Sequence, residues 1–280
     1  MECVAIVGVG LIGGSFGLAL REAGFSGPIL GVSSPRTIEA AIRRRCIDAG
    51  ASLAEAASRA DLIFLSQSVG RILDTLRHLD NVVRPDALVT DAGSTKGEIV
   101  STASRVLRRC AFLGGHPMAG KASRGAGEAE AGLFRGRTWV LTPRSPKDLE
   151  TAQASELVRW IGELGSHVFV MDPEEHDRAV ALTSHLPQLA STALAVTVAE
   201  NLASLEELTV AGPGLVDSTR LAQSSYDLWR DILLTNGDAV DRALSAYIAK
   251  LEYLRDNLRS RQIEEEFTTA AMLASQLRNR

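Results

Sequence analysis

Cys3-Val4-Ala5-Ile6-Val7-Gly8-Val9-Gly10-Leu11-Ile12-Gly13 opens the chain, and its reading decides the fold. The β-branched run up to Val9 reads as a short buried strand. Glycines then stand at the first, third and sixth places of Gly8 to Gly13, and Phe16, Leu18, Ala19, Leu20 and Ala23 recur at helical spacing until Gly24. Strand, glycine loop and helix in that order make a dinucleotide fingerprint with its required context. Gly8 permits a tight turn, Gly10 lets the backbone reach a pyrophosphate, and Gly13 lets helix and strand pack closely. The free N–H groups and partial positive charge of the helix start suit phosphate. Gly8, Gly10, Leu11, Ile12 and Gly13 are therefore the expected cofactor contacts; a merely flexible loop would leave the spacing unexplained.

Outward from this unit the pattern repeats. Pro28 to Val32 reads as a second strand, and where an NAD site usually carries an acidic residue for the ribose the chain has Ser33-Ser34-Pro35-Arg36. A carboxylate would repel a 2′-phosphate, whereas two hydroxyls and a guanidinium accept one. Ser33, Ser34 and Arg36 thus favour NADP over NAD, against the plainer reading of Arg36 as a solvated surface charge. A helix over 35–46, a strand over Ala60 to Leu65, a helix to about His78 and a strand over Ala87 to Asp91 follow. Ser66 and Asp91, at two of these strand ends, are expected near the cofactor. Strands alternating with helices in this way imply a parallel, doubly wound α/β sheet. A strand over Trp139 to Thr142, a helix over 147–164 and a last strand over His167 to Met171 follow. From Asp172-Pro173 onward only helical periodicity remains. One helix is expected to about Asn201, kinked at Pro187, with further helices over 216–224, 226–235, 237–260 and 262–278. The division expected is 1–171 for the sheet and 172–280 for an all-α domain.

Gly114-Gly115-His116-Pro117-Met118-Ala119-Gly120 puts one imidazole at the end of a buried run, where open α/β sheets bind ligands. An imidazole there can exchange a proton near pH 7. Ser94, at another strand end, is expected to bridge His116 and a substrate oxygen; Lys96 is read as a cap for the helix after Gly97, against the alternative of an anion contact. His176 and His185 are nine residues apart in the sequence, on opposite faces of a straight helix. His185, beside Pro187, is the better site candidate, and His176 is read as a packing or capping residue. Arg220 offers a donor fork for a carboxylate, against a local ion pair with Asp217. The histidine spacing lacks the i, i+4 pair of a zinc helix, so no metal is expected. The net charge of −4 argues against nucleic acid or anionic lipid, and three scattered cysteines against a disulfide frame. Neither apolar stretch, 3–20 or 179–199, reads as a membrane span, and a cytoplasmic protein is expected.

Taken together, the glycine loop, Asp91 to Lys96, Gly114 to Gly120, Leu141-Thr142-Pro143, His176-Asp177, Ser184-His185-Leu186-Pro187, Asp217 to Arg220 and Trp229-Arg230-Asp231 resemble the prephenate and arogenate dehydrogenases of tyrosine biosynthesis. The resemblance runs along nearly the whole chain. It implies a Rossmann-type domain followed by a helical dimerisation domain, a homodimer, and an active site in the cleft between the domains. It implies that His116 accepts the proton of the substrate ring hydroxyl and that Ser94 orients it. His185 would position prephenate or arogenate, and Arg220 would hold a carboxylate. No fused regulatory or chorismate mutase domain is expected. The rival readings are another NAD(P) enzyme of the β-hydroxyacid dehydrogenase and imine reductase group, and a non-catalytic NADP sensor.

Overall fold

A computed structural model describes residues 1–121 and 123–278. Its centre is β1 (Val4–Val7), every residue of which is buried. It pairs in parallel with β2 (Ile29–Val32) on one side and β4 (Leu62–Leu65) on the other. β3 (Ala49–Gly50) extends the sheet beyond β2, and β5 (Leu88–Asp91) and β6 (Ala111–Pro117) extend it beyond β4. Strands covered on both faces must be apolar throughout, which is why they read as unbroken hydrophobic runs and not as alternating ones.

Helices cover both faces of this sheet. On one lie α1 (Leu11–Glu22) and α6 (Ala152–Glu163), whose Phe16, Leu20, Leu157 and Trp160 share a core with Phe64 and Trp139. The rings of Phe16 and Phe64 are 4.3 Å apart. On the other lie α3 (Leu53–Arg59), α4 (Val69–Leu79) and α5 (Gly97–Val106), packed through Ala56, Ile72, Leu76, Ile99 and Ala103. α2 (Pro35–Arg43) follows β2. The strand order β3-β2-β1-β4-β5-β6 reverses between β1 and β4, and ligands settle in the crevice at such a reversal.

The sheet is not parallel to its end. β7 (Thr138–Thr142) runs antiparallel to β6, and β8 (His167–Val170) runs parallel to β7. The doubly wound sheet expected over the first strands is present, and the change of direction comes after β6, where the described residues of 118–137 hold two short 3₁₀ turns and no helix. A parallel return needs a crossover to the far end of the sheet, and this segment supplies none. It packs on α1 instead, where the Glu130 amide donates to Ser15 Oγ at 3.0 Å.

Beyond the sheet, Asp172 caps α7 (Pro173–Val180) by accepting from the Glu174 and Glu175 amides. A π-helical turn, Ala181–His185, joins α7 to α8 (Leu186–Asn201). The irregularity in this run is the π-helical turn, which ends two residues before Pro187, a residue with no amide to donate. The expected helix over 216–224 is split into α9 (Pro213–Thr219) and a 3₁₀ turn, Arg220–Gln223. α10 (Tyr226–Thr235), α11 (Gly237–Asp256) and α12 (Glu264–Arg278) complete the chain. α10 leans on α4, where Asp231 accepts from the Gly70 amide at 3.1 Å and Ile232 enters the core of the sheet domain. Among the described residues no helix is long and apolar enough to cross a membrane.

Candidate active site

The glycine loop has the shape its sequence requires. Gly8 sits at φ +96°, a region that side chains rarely adopt. A Cβ on Gly13 would fall 2.5 Å from the Gly8 carbonyl oxygen and 2.8 Å from Ile6, so only glycine lets α1 meet β1 this closely. Gly10 is the opposite case: a Cβ there would meet nothing within 4 Å. The loop is tight against the protein at Gly13 and open outward at Gly10. Helix hydrogen bonding begins at the Gly14 amide, which donates to the Gly10 carbonyl, and the amides before it have no intrahelical acceptor. A pyrophosphate fits this cradle. Ser66 holds it from beneath, donating to the Gly8 carbonyl at 2.9 Å, so its hydroxyl is committed to the loop.

Ser33, Ser34 and Arg36 are exposed where β2 ends. Ser34 caps α2 by accepting from the Thr37 amide. Arg36 enters no ion pair or side-chain hydrogen bond among the described residues, and no carboxylate occupies this strand end.

β6 outruns β5: its parallel pairing stops at Leu113, and Gly114 to Pro117 pair only with β7. His116 therefore stands past the carboxyl edge of the parallel strands, half-buried. The expected partner of this imidazole was Ser94. Ser94 is half-buried nearby in sequence to Lys96, but it makes no side-chain hydrogen bond among the described residues. His116 Nδ1 lies 2.8 Å from His176 Nε2, and His176 Nδ1 lies 2.8 Å from Asp177 Oδ1. Asp177 in turn accepts from the Lys96 amide at 2.7 Å and the Gly97 amide at 2.8 Å, and so caps α5. The reading of His176 as a packing residue is corrected. The 100° rule assumes a regular helix, and the π-helical turn advances each residue by less, so the helix is re-phased between the two histidines.

His185 belongs to the same junction. The Asn236 side chain donates to the Asp177 carbonyl at 2.8 Å and lies 3.3 Å from His185 Nδ1, and the His185 ring stands edge-on to Trp229. Burial pushes His185 down to about 4, with the opposing pull of Asp177 and the push of His176 smaller. Burial above all, and then the repulsion that a charged His116 would meet from His176, Lys96 and His185 in their charged forms, hold His116 well below the ordinary imidazole value. Both rings are neutral at pH 7, and a neutral ring at the strand edge can accept a proton.

Lys96 stands at the N-cap place of α5, but its side chain makes no capping bond. It is fully buried, and its ammonium contacts the Asp91 carboxylate and donates to the Gly115 carbonyl at 2.7 Å. Burial lowers its pKa and Asp91 opposes that. Asp91, expected at the cofactor, is equally buried. Besides Lys96 it accepts from the Gly93 amide at 2.8 Å and the Gly115 amide at 3.1 Å. The pair clamps the backbone on which His116 is mounted. Arg220 is exposed and does not pair with Asp217 among the described residues. The turn it starts is docked on α8, where Gln188 donates to the Leu221 carbonyl at 2.9 Å.

Sequence reasoning thus missed His176, Asp177, Lys96 and Asn236. A lysine between two glycine turns and an acid directly after a histidine were the available signals. What no periodicity displays is a change of helical phase.

Comparison with known proteins agrees with this arrangement. The sequence model of the prephenate dehydrogenase nucleotide-binding domain matches residues 16–170, and that of the prephenate dehydrogenase dimerization domain matches 172–272. The chain is 32% identical over 272 residues to prephenate dehydrogenase of Bacillus subtilis, covering 95% of this chain and 72% of that protein. Among solved structures it superimposes on prephenate dehydrogenase of Aquifex aeolicus, in complex with hydroxyphenyl propionate and NAD+, with a TM-score of 0.86 at 33% identity, covering 99% of this chain and 97% of the other. On Synechocystis arogenate dehydrogenase the TM-score is 0.77 at 30% identity, covering 99% and 98%. With both halves matched and the glycine cradle and strand-edge imidazole in place, the chain belongs to the prephenate dehydrogenase family.

Proposed function

We propose that the protein oxidatively decarboxylates prephenate or arogenate, giving 4-hydroxyphenylpyruvate or tyrosine, with His116 as the proton acceptor and NADP+ favoured over NAD+. The observation that carries this reading is the neutral His116 ring standing past the sheet edge and backed by a buried hydrogen-bonded chain. The nicotinamide, when bound, takes the hydride from the hydroxyl-bearing ring carbon. His116 Nε2 accepts the proton of that hydroxyl as the carbon becomes a carbonyl. Loss of carbon dioxide then leaves its bonding electrons in the ring, which becomes aromatic, and His116 returns the proton to the oxygen. No net proton is released, so one group serves as base and then as acid.

Other residues have supporting roles in this reading. Ser94, with its hydroxyl uncommitted, orients the substrate oxygen. His185, held neutral, donates or accepts a hydrogen bond to the ring substituents. Arg220, unpaired beside α8, binds a carboxylate of the substrate. Gly8, Gly10, Leu11, Ile12 and Gly13 hold the pyrophosphate, and exposed Ser33, Ser34 and Arg36 receive the 2′-phosphate.

The test is a set of four assays that follow reduced nicotinamide with prephenate or arogenate and with NAD+ or NADP+. Turnover of at least one substrate is expected, with the lower KM for NADP+. Binding of cofactor without turnover would replace the enzyme by a sensor, and a strong NAD+ preference would overturn the role given to Arg36.

A further inference from the structure

We propose that His176 and Asp177 form a relay behind His116 that fixes which of its ring nitrogens carries the proton. The inference rests on the reading of His116 as the base, and it adds two positioning residues that do not touch the substrate.

The argument starts from the one group in the chain whose role is unambiguous. An ionised carboxylate only accepts, so Asp177 Oδ1 requires the proton on His176 Nδ1. A neutral imidazole has one N–H, so His176 Nε2 is then a bare acceptor. It faces His116 Nδ1 at 2.8 Å, which must therefore be the donor. His116 is left with its lone pair on Nε2, the nitrogen not engaged by the relay. The opposite tautomer would set two lone pairs against each other at the His116–His176 contact. Asp177 can impose this order because its position is itself fixed: it accepts from the Lys96 and Gly97 amides and sits at the positive end of α5.

The same chain accommodates the proton during the reaction. When Nε2 of His116 takes the hydroxyl proton, the proton on Nδ1 can pass to His176 Nε2. The positive charge then lies on His176, against Asp177, and not on His116 near Lys96 and His185. Reversal restores the starting state, so bonds and protons balance. A dyad in which a carboxylate fixes the tautomer of one histidine is well known. Here two imidazoles in series transmit that instruction from one domain to the other, since Asp177 and His176 lie on α7 and His116 on β6.

The first experiment needs no substitution. ¹⁵N spectra of the histidine-labelled protein report which ring nitrogen of each of its five histidines is protonated. His116 is expected to carry its proton on Nδ1 in the resting enzyme. A spectrum with the proton on Nε2 overturns the relay, even in a protein that turns over either substrate. Failure of turnover with both substrates would remove the proposed reaction and leave the tautomer readable.

The second experiment is Asp177→Asn. With its nitrogen at the Oδ1 place the amide donates to His176 Nδ1 and reverses every donor in the chain; it gives up the bond from the Lys96 amide, while its oxygen still accepts from the Gly97 amide. Turnover is expected to fall by about 10²–10⁴-fold with cofactor Kd unchanged and the His116 tautomer switched. His176→Gln, whose carbonyl still accepts from His116 Nδ1, is expected to leave the His116 tautomer unchanged, and a switched tautomer in this variant would refute the proposal. Unchanged turnover and tautomer in Asp177→Asn would refute the proposal. A fall in turnover without a tautomer change would assign Asp177 to the helix cap alone, and would refute it too.

Discussion

His116 is useful because it is uncharged, and the surrounding residues are what keep it so. A base already protonated at working pH has nothing to offer, and a ring surrounded by Lys96, His176 and His185 resists protonation until a proton is delivered at close range. Replacing His116 by Asn or Ala should cut turnover by about 10²–10⁴-fold, the usual worth of a positioned base. Cofactor Kd, measured by fluorescence titration, should hardly move, because the glycine cradle is on another strand. Equal turnover in the variant would remove His116 from the chemistry. His185 supports a second test, on stability. It titrates at about 4 in the folded chain, against an ordinary value of 6.5. Above pH 6.5 both folded and unfolded chains hold this ring neutral. Between 6.5 and 4 the unfolded ring takes a proton and the folded one does not, so stability falls as acid is added. The share owed to His185 is about 3 kcal/mol at pH 4. His116 acts in the same direction. His185→Leu should flatten part of the acid limb in urea melts taken from pH 7 to 4, whereas an unchanged slope would show that the ring is hydrated.

At the scale of elements, the loop between β5 and α5 and the extension of β6 are fastened to each other by one buried ion pair. Lys96→Met would leave the Asp91 carboxylate buried without its cation. Breaking such a pair by removing one partner costs about 3–5 kcal/mol, and chemical denaturation should show a loss of that order. A loss below 1 kcal/mol would mean that water reaches Asp91 in the variant. The βα units were legible in the sequence, because a strand buried on both faces must be apolar and a cofactor loop must carry glycine. His116 and His185 were legible for a related reason: each stands beside a proline or glycine that breaks the regular pattern. The Lys96–Asp91 pair was not legible because the two are joined only by the fold, which brings the end of β5 and its following loop against Gly115 of β6 and makes their burial tolerable. His176 was misread because the π-helical turn has no sequence period of its own. β7 was legible as a strand but not in its direction, because apolar strands read alike either way and direction is set by what the connecting segment can span.

At the scale of the whole molecule, the helical half of a single copy has little core of its own. The core of that half outside the sheet domain consists of Ala181, Ala239, Val240 and Ala243, three of them alanines. No residue of α12 is buried, and its Phe267, Met272, Leu273 and Leu277 are each more than half exposed. Ile248 and Leu251 on α11, Leu258 after it, and Val210 and Val216 around α9 are exposed as well. An apolar surface spread over several helices marks an interface, and the dimerization-domain match over 172–272 identifies its occupant as a second copy. In a two-fold dimer, residues of the shared face are covered on both chains at once. The consequence reaches the active site, since α7 carries His176 and Asp177 and is held in place by helices whose own core is this thin. Melting temperature should therefore rise with protein concentration, as it does for any fold completed by its partner. Phe267→Glu combined with Leu273→Glu keeps residues that favour helix but charges the covered surface. That variant should sediment as a monomer at concentrations where the parent is a dimer, and its turnover should fall with the dimer fraction. A parent chain that sediments as a monomer and melts at one temperature at every concentration would refute this account of how the helical half is stabilised.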